Sequence, residues 1–262
     1  MTNKIKASVN ARFIQPYKSS HFDKFDEGKK LSRLKDAHKG QRCFFIGNGP
    51  SLMSSDLDKL KENNEISFAF NRIYHIFEKT QWRPTYYISQ DEKMLEGCKK
   101  EVSDMNLPFK FIPIQLQWYY SISIKGATHF NMAYQQPEAE ANLLFSDNIA
   151  QKIYCASTGM YTAAQMAAYM GFSEIYLIGT DHHFHISKNN SGEIVLDNSV
   201  KDYFSDKYNA DKDKLFVPNT EKSTFTYVAM KTHCEKRGIK VFNATRGGKL
   251  EVFPRIDFDS LF

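Results

Sequence analysis

Short apolar runs rich in β-branched and aromatic residues recur along the chain, and stretches with helical spacing separate them. The runs at 43–46, 66–70, 85–89, 109–113, 174–178 and 240–242 read as strands. The intervening segments 28–38, 54–61, 73–79, 91–104, 159–170 and 222–237 read as helices. Strand and helix in alternation give an α/β fold: a Rossmann-like, mostly parallel sheet with helices on both faces. Two stretches break the rhythm. Residues 115–153 are aromatic and irregular, with Trp118, Tyr119, Tyr120, Phe130, Tyr134 and Phe145. Residues 182–218 are polar, with Lys188-Asn189-Asn190-Ser191-Gly192 as a hairpin or loop tip. Insertions of this length on such a scaffold serve more often as lids or specificity elements than as domains. The expected organisation is a basic N-terminal extension (1–40), one nucleotide-binding transferase domain (41–255) carrying the insertions as a lid, and a short tail (256–262).

Ligands of open α/β sheets bind beyond the carboxyl ends of the strands, so the residues just past each run are informative. After Ile46 come Gly47, Asn48, Gly49, Pro50 and Ser51, and after Phe70 come Asn71 and Arg72. Ser89, Gln90 and Asp91 close the third run, and Gly179, Thr180, Asp181, His182 and His183 come after Ile178. Ser157, Thr158 and Gly159 cap a helix rich in small residues, whose positive end faces the same crevice. The glycine turn after Cys43-Phe44-Phe45-Ile46 places backbone N–H groups beside a helix start, which suits a phosphate. It lacks the third glycine of a dinucleotide fingerprint and the Lys-Ser/Thr pair of a P-loop, so a plain tight turn is equally open. Turns and caps also account for single Ser, Asn and Asp residues at strand ends. They account less well for Arg72, Gln90 and the histidines arriving together.

His182, His183 and His185 on one loop lack the i, i+4 spacing of a helical zinc site, so acid–base or phosphate-binding work suits them better. Asp211-x-Asp213 and Asp257-x-Asp259 lie away from the expected crevice mouth and read as solvated charges. No metal or other cofactor is expected, and phosphate charge would be met by N–H groups, His, Arg and hydroxyls.

Composition changes the picture only at its edges. The chain has 262 residues, 42% hydrophobic and 25% charged, which suits one main folded domain. The net charge of +5 comes largely from Lys4, Lys6, Arg12, Lys18, Lys29, Lys30 and their neighbours before residue 43. This lead segment fits a solvated extension, or one that touches anionic lipid or a polyanionic acceptor at a membrane surface. Cys43, Cys98, Cys155 and Cys234 are scattered without metal spacing. Without a signal peptide or an apolar run long enough for a bilayer, a reduced cytoplasmic protein is expected. Nothing suggests nucleic acid. The aromatic segment around Trp118 allows a sugar platform, a lid contact or a subunit contact, which leaves a homo-oligomer open.

Together these blocks carry a resemblance. Gly47-Asn48-Gly49-Pro50-Ser51-Leu52, Phe70-Asn71-Arg72-Ile73-Tyr74 and the stretch from Ser157-Thr158-Gly159 to Gly179-Thr180-Asp181 resemble the bacterial CMP-sialic acid-dependent sialyltransferases of the Campylobacter type. They are more similar to a family named after an archaeal 6-hydroxymethylpterin diphosphokinase and also found in flagellin-glycosylating proteins. The tail Asn243-Ala244-Thr245-x-Gly247-Gly248-Lys249-Leu250-Glu251-Val252-Phe253-Pro254 resembles that second group. The resemblance covers residues 40–255, except the aromatic middle. It implies a Rossmann-like fold with a lid, a metal-independent glycosyltransferase, a nucleotide-sugar donor that is CMP-linked, and a glycan or lipid-linked acceptor. It also implies that the loop 47–51, Asn71 and Thr158-Gly159 hold the nucleotide, with His183 where the sialyltransferases place a phosphate-binding tyrosine. Two positions depart from the pattern. Cys155 stands where those enzymes carry an arginine for the sugar carboxylate, and the segment 217–223 lacks their catalytic histidine. The base therefore falls to His182 or His183, with Asp181 orienting a histidine or the acceptor. An ATP-dependent diphosphokinase and a non-catalytic nucleotide-binding module are the alternatives.

Overall fold

A computed structural model describes residues 14–138, 142–183, 202–205, 208 and 219–262, and the backbone of 186–188 and 194–196. Seven strands form the central sheet: β1 (Arg42–Ile46), β2 (Ser67–Phe70), β3 (Tyr86–Ile88), β4 (Phe109–Pro113), β5 (Ala127–Phe130), β8 (Glu174–Ile178) and β11 (Lys240–Asn243). Their order is β11-β8-β1-β2-β3-β4-β5, and every neighbouring pair is parallel. The chain therefore runs outward from β1 to β5, returns to β8 on the other side of β1, and leaves a topological switch point between β1 and β8.

Alternation along the strands explains why both faces are covered. In β1, Phe44 and Ile46 enter one core with Leu57, Leu60 and Leu95, while Cys43 and Phe45 enter the other with Ala163, Ala167 and Met230. The first core lies under α3 (Ser54–Glu62) and α4 (Glu92–Asp104), the second under α6 (Gly159–Met170) and α7 (Thr220–Glu235). Ala163, Ala164 and Ala167 of α6 are fully buried, so this helix lies close against the sheet. Lys110 of β4 is also buried, and its ammonium donates to the carbonyls of Val102, Ser103 and Met105 at 3.0–3.1 Å. It caps the last turn of α4, which leaves those oxygens without helical partners. Lys110→Met would strand the carbonyls of Val102 and Ser103, while Met105 O keeps the N–H of Leu107 at 3.2 Å, and is expected to cost about 2–4 kcal/mol in urea unfolding; a loss below about 1 kcal/mol would refute that role.

Several expectations need correction. The helix expected over 28–38 is α2 (Asp26–Ser32). It stops early because the N–H groups of Asp36, His38 and Gly40 donate to Tyr169, Met170 and Gly171, satisfying the carbonyl end of α6. The lead segment is not merely a solvated extension, since Phe22, Leu31 and Leu34 lie in the core. Helix α1 (Gln15–Ser20) of this segment is tied to Asn131 through Ser19. Residues 73–79 form only a 3₁₀ turn, Ile73–Ile76, and α7 starts two residues early because Asn219 caps it, accepting from Lys222 N at 2.8 Å.

The aromatic stretch is not irregular. It holds α5 (Ile114–Tyr120), edge strand β5, and a small parallel pair made by β6 (Met132–Tyr134) and β7 (Ile153–Cys155). In the polar insertion, β9 (Ile186–Lys188) and β10 (Ile194–Leu196) pair antiparallel around a tip that lies outside the described residues, as do His185, Asp211 and Asp213. The tail is packed: Phe258 is buried, and Phe262, Phe44, Tyr176 and Phe242 stack in series with centroids 5.3–6.1 Å apart. Arg42 sits over three of those rings and pairs with Glu65. Asp257 caps the 3₁₀ turn Phe258–Leu261, and Asp259 pairs with Lys59 and Arg246.

Candidate functional site

A cleft opens at the carboxyl ends of the strands, over the switch point. It gathers Gly47, Asn48, Gly49, Asn71, Asp91, Ser157, Thr158, Gly159, Gly179, Thr180, Asp181, His182 and His183, all anticipated from the sequence. Phe70, Met94, Met160, Asp202, Tyr203, Tyr208, Ser223 and Tyr227 also line it, and sequence reasoning missed them. Five anticipated residues lie behind or outside the wall. Pro50 is exposed, and Ser51 is turned onto Asp181. Arg72 is buried and donates to the Tyr208 carbonyl at 2.7 Å. Ser89 donates to Asn71 Oδ1 at 3.1 Å, and Gln90 to the Ala156 carbonyl at 3.2 Å. These side chains hold the loops that the cleft residues ride on.

The glycine loop works differently from a phosphate cradle. Gly47 N–H donates to Ile178 O and Gly49 N–H to Gly179 O, both at 2.8 Å, so these amides extend the β1–β8 ladder past the strand ends. Asp181 then takes Ser51 Oγ at 2.7 Å and Ser51 N–H at 3.4 Å. Burial pushes the Asp181 carboxyl up, and the two Ser51 donors oppose that rise. Asp181 is thus the latch between the loops after β1 and β8, and its carboxylate engages Ser51 rather than orienting a histidine. The N-terminus of α6 supplies the cleft's positive end. Thr158 caps it, accepting from Met160 N–H at 3.3 Å, and Gly159 opens it against the ring of Phe70.

Two cleft residues other than glycine sit in left-handed backbone, Asn71 at φ 52° and His182 at φ 54°. Such conformations cluster at sites the surrounding structure over-determines. His182 Nε2 lies 2.8 Å from Thr224 Oγ1, which donates its own proton to Thr220 O at 2.9 Å. A hydroxyl has one hydrogen, so at the histidine Thr224 accepts. Nε2 therefore carries the imidazole proton and Nδ1 is the basic nitrogen. Burial holds the His182 pKa below the ordinary histidine value, which keeps the ring neutral near pH 7. Tyr227 meets the ring edge-on at 5.4 Å. His183 Nε2 lies 3.5 Å from Lys249 Nζ.

Aromatic rings close one wall, with Tyr203 and Tyr208 stacked at 3.9 Å and nearly parallel. Burial raises the phenol pKa of both, so they are neutral surfaces. Asp91 lines the cleft while capping α4, where it accepts from Met94 N–H at 2.9 Å, and burial raises its pKa. Cys155 does not reach the cleft. Its thiol is buried against the Thr162 hydroxyl, 3.2 Å away, and its pKa is pushed up to about 12 by burial, so it cannot replace an arginine as an anion ligand. Among the described residues, no group of three or more His, Cys, Asp or Glu is arranged to hold a metal. Among the same residues, no helix is long and apolar enough to cross a membrane.

The fold and cleft define a Rossmann-like α/β protein with a polar pocket at its switch point. The chain belongs to the family described as 6-hydroxymethylpterin diphosphokinase MptE-like, whose model matches residues 19–187. Among solved structures, the MAf glycosyltransferase from Magnetospirillum magneticum AMB-1 shares the fold, with a TM-score of 0.51 at 14% identity. The likeness covers 90% of this chain and 38% of that one, so this chain spans well under half of that protein. No curated protein sequence matches the chain. Neither of these two descriptions names a sialyltransferase.

Proposed function

We infer that the chain is a transferase that binds a nucleotide-activated sugar, CMP-linked, and passes the sugar to a glycan or lipid-linked acceptor. The observation that carries this reading is the meeting, in one cleft, of the α6 N-terminus with an imidazole whose basic nitrogen is fixed. The first suits a phosphate leaving group, the second an acceptor hydroxyl. The fold shared with a protein described as a glycosyltransferase agrees with it. In the step proposed, the acceptor oxygen loses its proton to His182 Nδ1 and attacks the anomeric carbon. The bond from that carbon to the phosphate oxygen breaks, and the nucleotide departs with its electron pair, stabilised by the α6 N–H groups and His183. The buried Cys155 means that a sugar carboxylate would not be held as in the sialyltransferases.

The family description supplies the competing reading, ATP-dependent diphosphoryl transfer to a pterin alcohol. Thermal unfolding with CMP, CTP and ATP, each with and without Mg²⁺, separates the two. A cytidine nucleotide at about 100 times its Kd should raise Tm by about 5–10 °C without Mg²⁺. A stronger response to ATP with Mg²⁺ would favour the diphosphokinase, and no response to any nucleotide would leave neither standing.

A further inference from the structure

The cleft is short of positive charge. Asp91, Asp181 and Asp202 line it, and among the described residues no lysine or arginine does. A phosphorylated ligand must nevertheless be offset by something beyond the α6 N-terminus. A cation is brought to the rim by the tail, whose motif the proposed transfer step does not use.

The loop after β11 is built to lie on the Asp181 backbone. Asn243 fixes its ends, donating to Leu250 O at 2.8 Å and accepting from Thr245 N at 3.0 Å. Thr245 Oγ1 accepts from Thr180 N at 3.1 Å, and Lys249 N donates to Asp181 O at 2.7 Å. Gly247 and Gly248 are both left-handed, at φ 72° and 76°, and Arg255 donates to both of their carbonyls. A Cβ on Gly248 would come within 2.9 Å of Asp181 Cα, so only glycine lets the loop sit this close. The result of this construction is the Lys249 ammonium at 3.5 Å from His183 Nε2, on the rim of the cleft. An ammonium can only donate, so the imidazole accepts there.

We propose that Lys249, with His183, is the anion subsite of the cleft and takes the phosphate of the bound nucleotide. An anionic oxygen beside the pair accepts from the ammonium and from the imidazole N–H. The proposal rests on the nucleotide reading of the cleft, and its test separates the two.

The whole chain, its Lys249→Gln variant and its Lys249→Arg variant are titrated by calorimetry with CMP and with cytidine. In parallel, inorganic pyrophosphate is titrated while the His183 imidazole signals are followed by NMR. Glutamine keeps a donor beside His183 and removes only the charge. Lys249→Gln should weaken CMP by about 10- to 100-fold, the range of a charge-assisted hydrogen bond, while cytidine changes less than about twofold. Lys249→Arg should stay within about fivefold of wild type for CMP. Pyrophosphate should move the His183 signals in the wild type and not in Lys249→Gln. Equal CMP affinity in wild type and Lys249→Gln, or His183 signals indifferent to pyrophosphate in the wild type, would overturn the subsite. If neither CMP nor cytidine bound the wild type, the nucleotide reading would fall, and the pyrophosphate titration would still decide the subsite.

Discussion

Alanine at Gly47 is expected to cost at least about 4 kcal/mol of stability and to abolish ligand binding in the cleft. Its Cβ would stand 2.3 Å from the carbonyl oxygen of Gly179 and 2.8 Å from the carbonyl carbon, and neither is a side chain that can turn away. The backbone cannot retreat either, because Gly47 N–H is bonded to Ile178 O and the register pairs Ile46 with Ile178. The contact is mutual. A Cβ on Gly179, already at φ 64°, would meet Gly47 O at 2.8 Å. Gly40 is the control: unlike Gly47 it has a positive φ, but nothing lies within 4 Å of where its Cβ would stand, so Gly40→Ala should cost only about 1 kcal/mol. Urea unfolding of both variants checks the prediction. A Gly47→Ala protein within about 1 kcal/mol of wild type would show that the two loops part more easily than their ladder implies.

His182→Ala is expected to lower kcat by about 10²–10⁴, the usual share of general base catalysis, with KM little changed. Thr224→Val should give a smaller loss, about tenfold, because it frees the tautomer without removing the base, and Thr224→Ser should restore the rate. Direction in pH comes from burial. A base must be neutral to act, and the His182 pKa is depressed below 6.5. Activity should therefore hold through neutrality and fall only as pH drops below the ordinary histidine range. The measurement is transfer from the nucleotide sugar that thermal unfolding selects, tracked across pH. Full activity in His182→Ala, or a wild-type acid limb that sets in above pH 6.5, would place the base elsewhere.

Much of the sheet was legible in the sequence because a parallel strand buried on both faces reads as a nearly continuous apolar run. Six of its strands stand out as runs such as Cys43-Phe44-Phe45-Ile46. β5 does not, since Ala127-Thr128-His129-Phe130 is an edge strand with only its last residue buried. Strand-end polarity likewise located most of the cleft. It did not say which way side chains turn: Arg72, Ser89 and Gln90 point into supporting hydrogen bonds because their partners come from other segments of the chain. The glycine loop was legible as a tight approach but not as a ladder extension, because that depends on β8. Tyr203 and Tyr208 sit in a stretch with no periodicity, so no pattern marks them. Lys249 was visible in the tail motif, and only the loop's seat on Asp181 gives it a place.

The central position of β1 has a consequence for how the protein is made. β1 through β5 emerge in spatial order, so each can pair with its predecessor as synthesis proceeds. β8 arrives late, and the latch it brings joins Ser51 to a partner 130 positions further on. Until then β1, whose last four residues are fully buried in the finished fold, is the open edge of a half-built sheet. An apolar open edge is the usual template for misassociation, which makes the arrival of β8 the vulnerable moment in the life of the nascent chain. The cleft comes into being as that edge is closed.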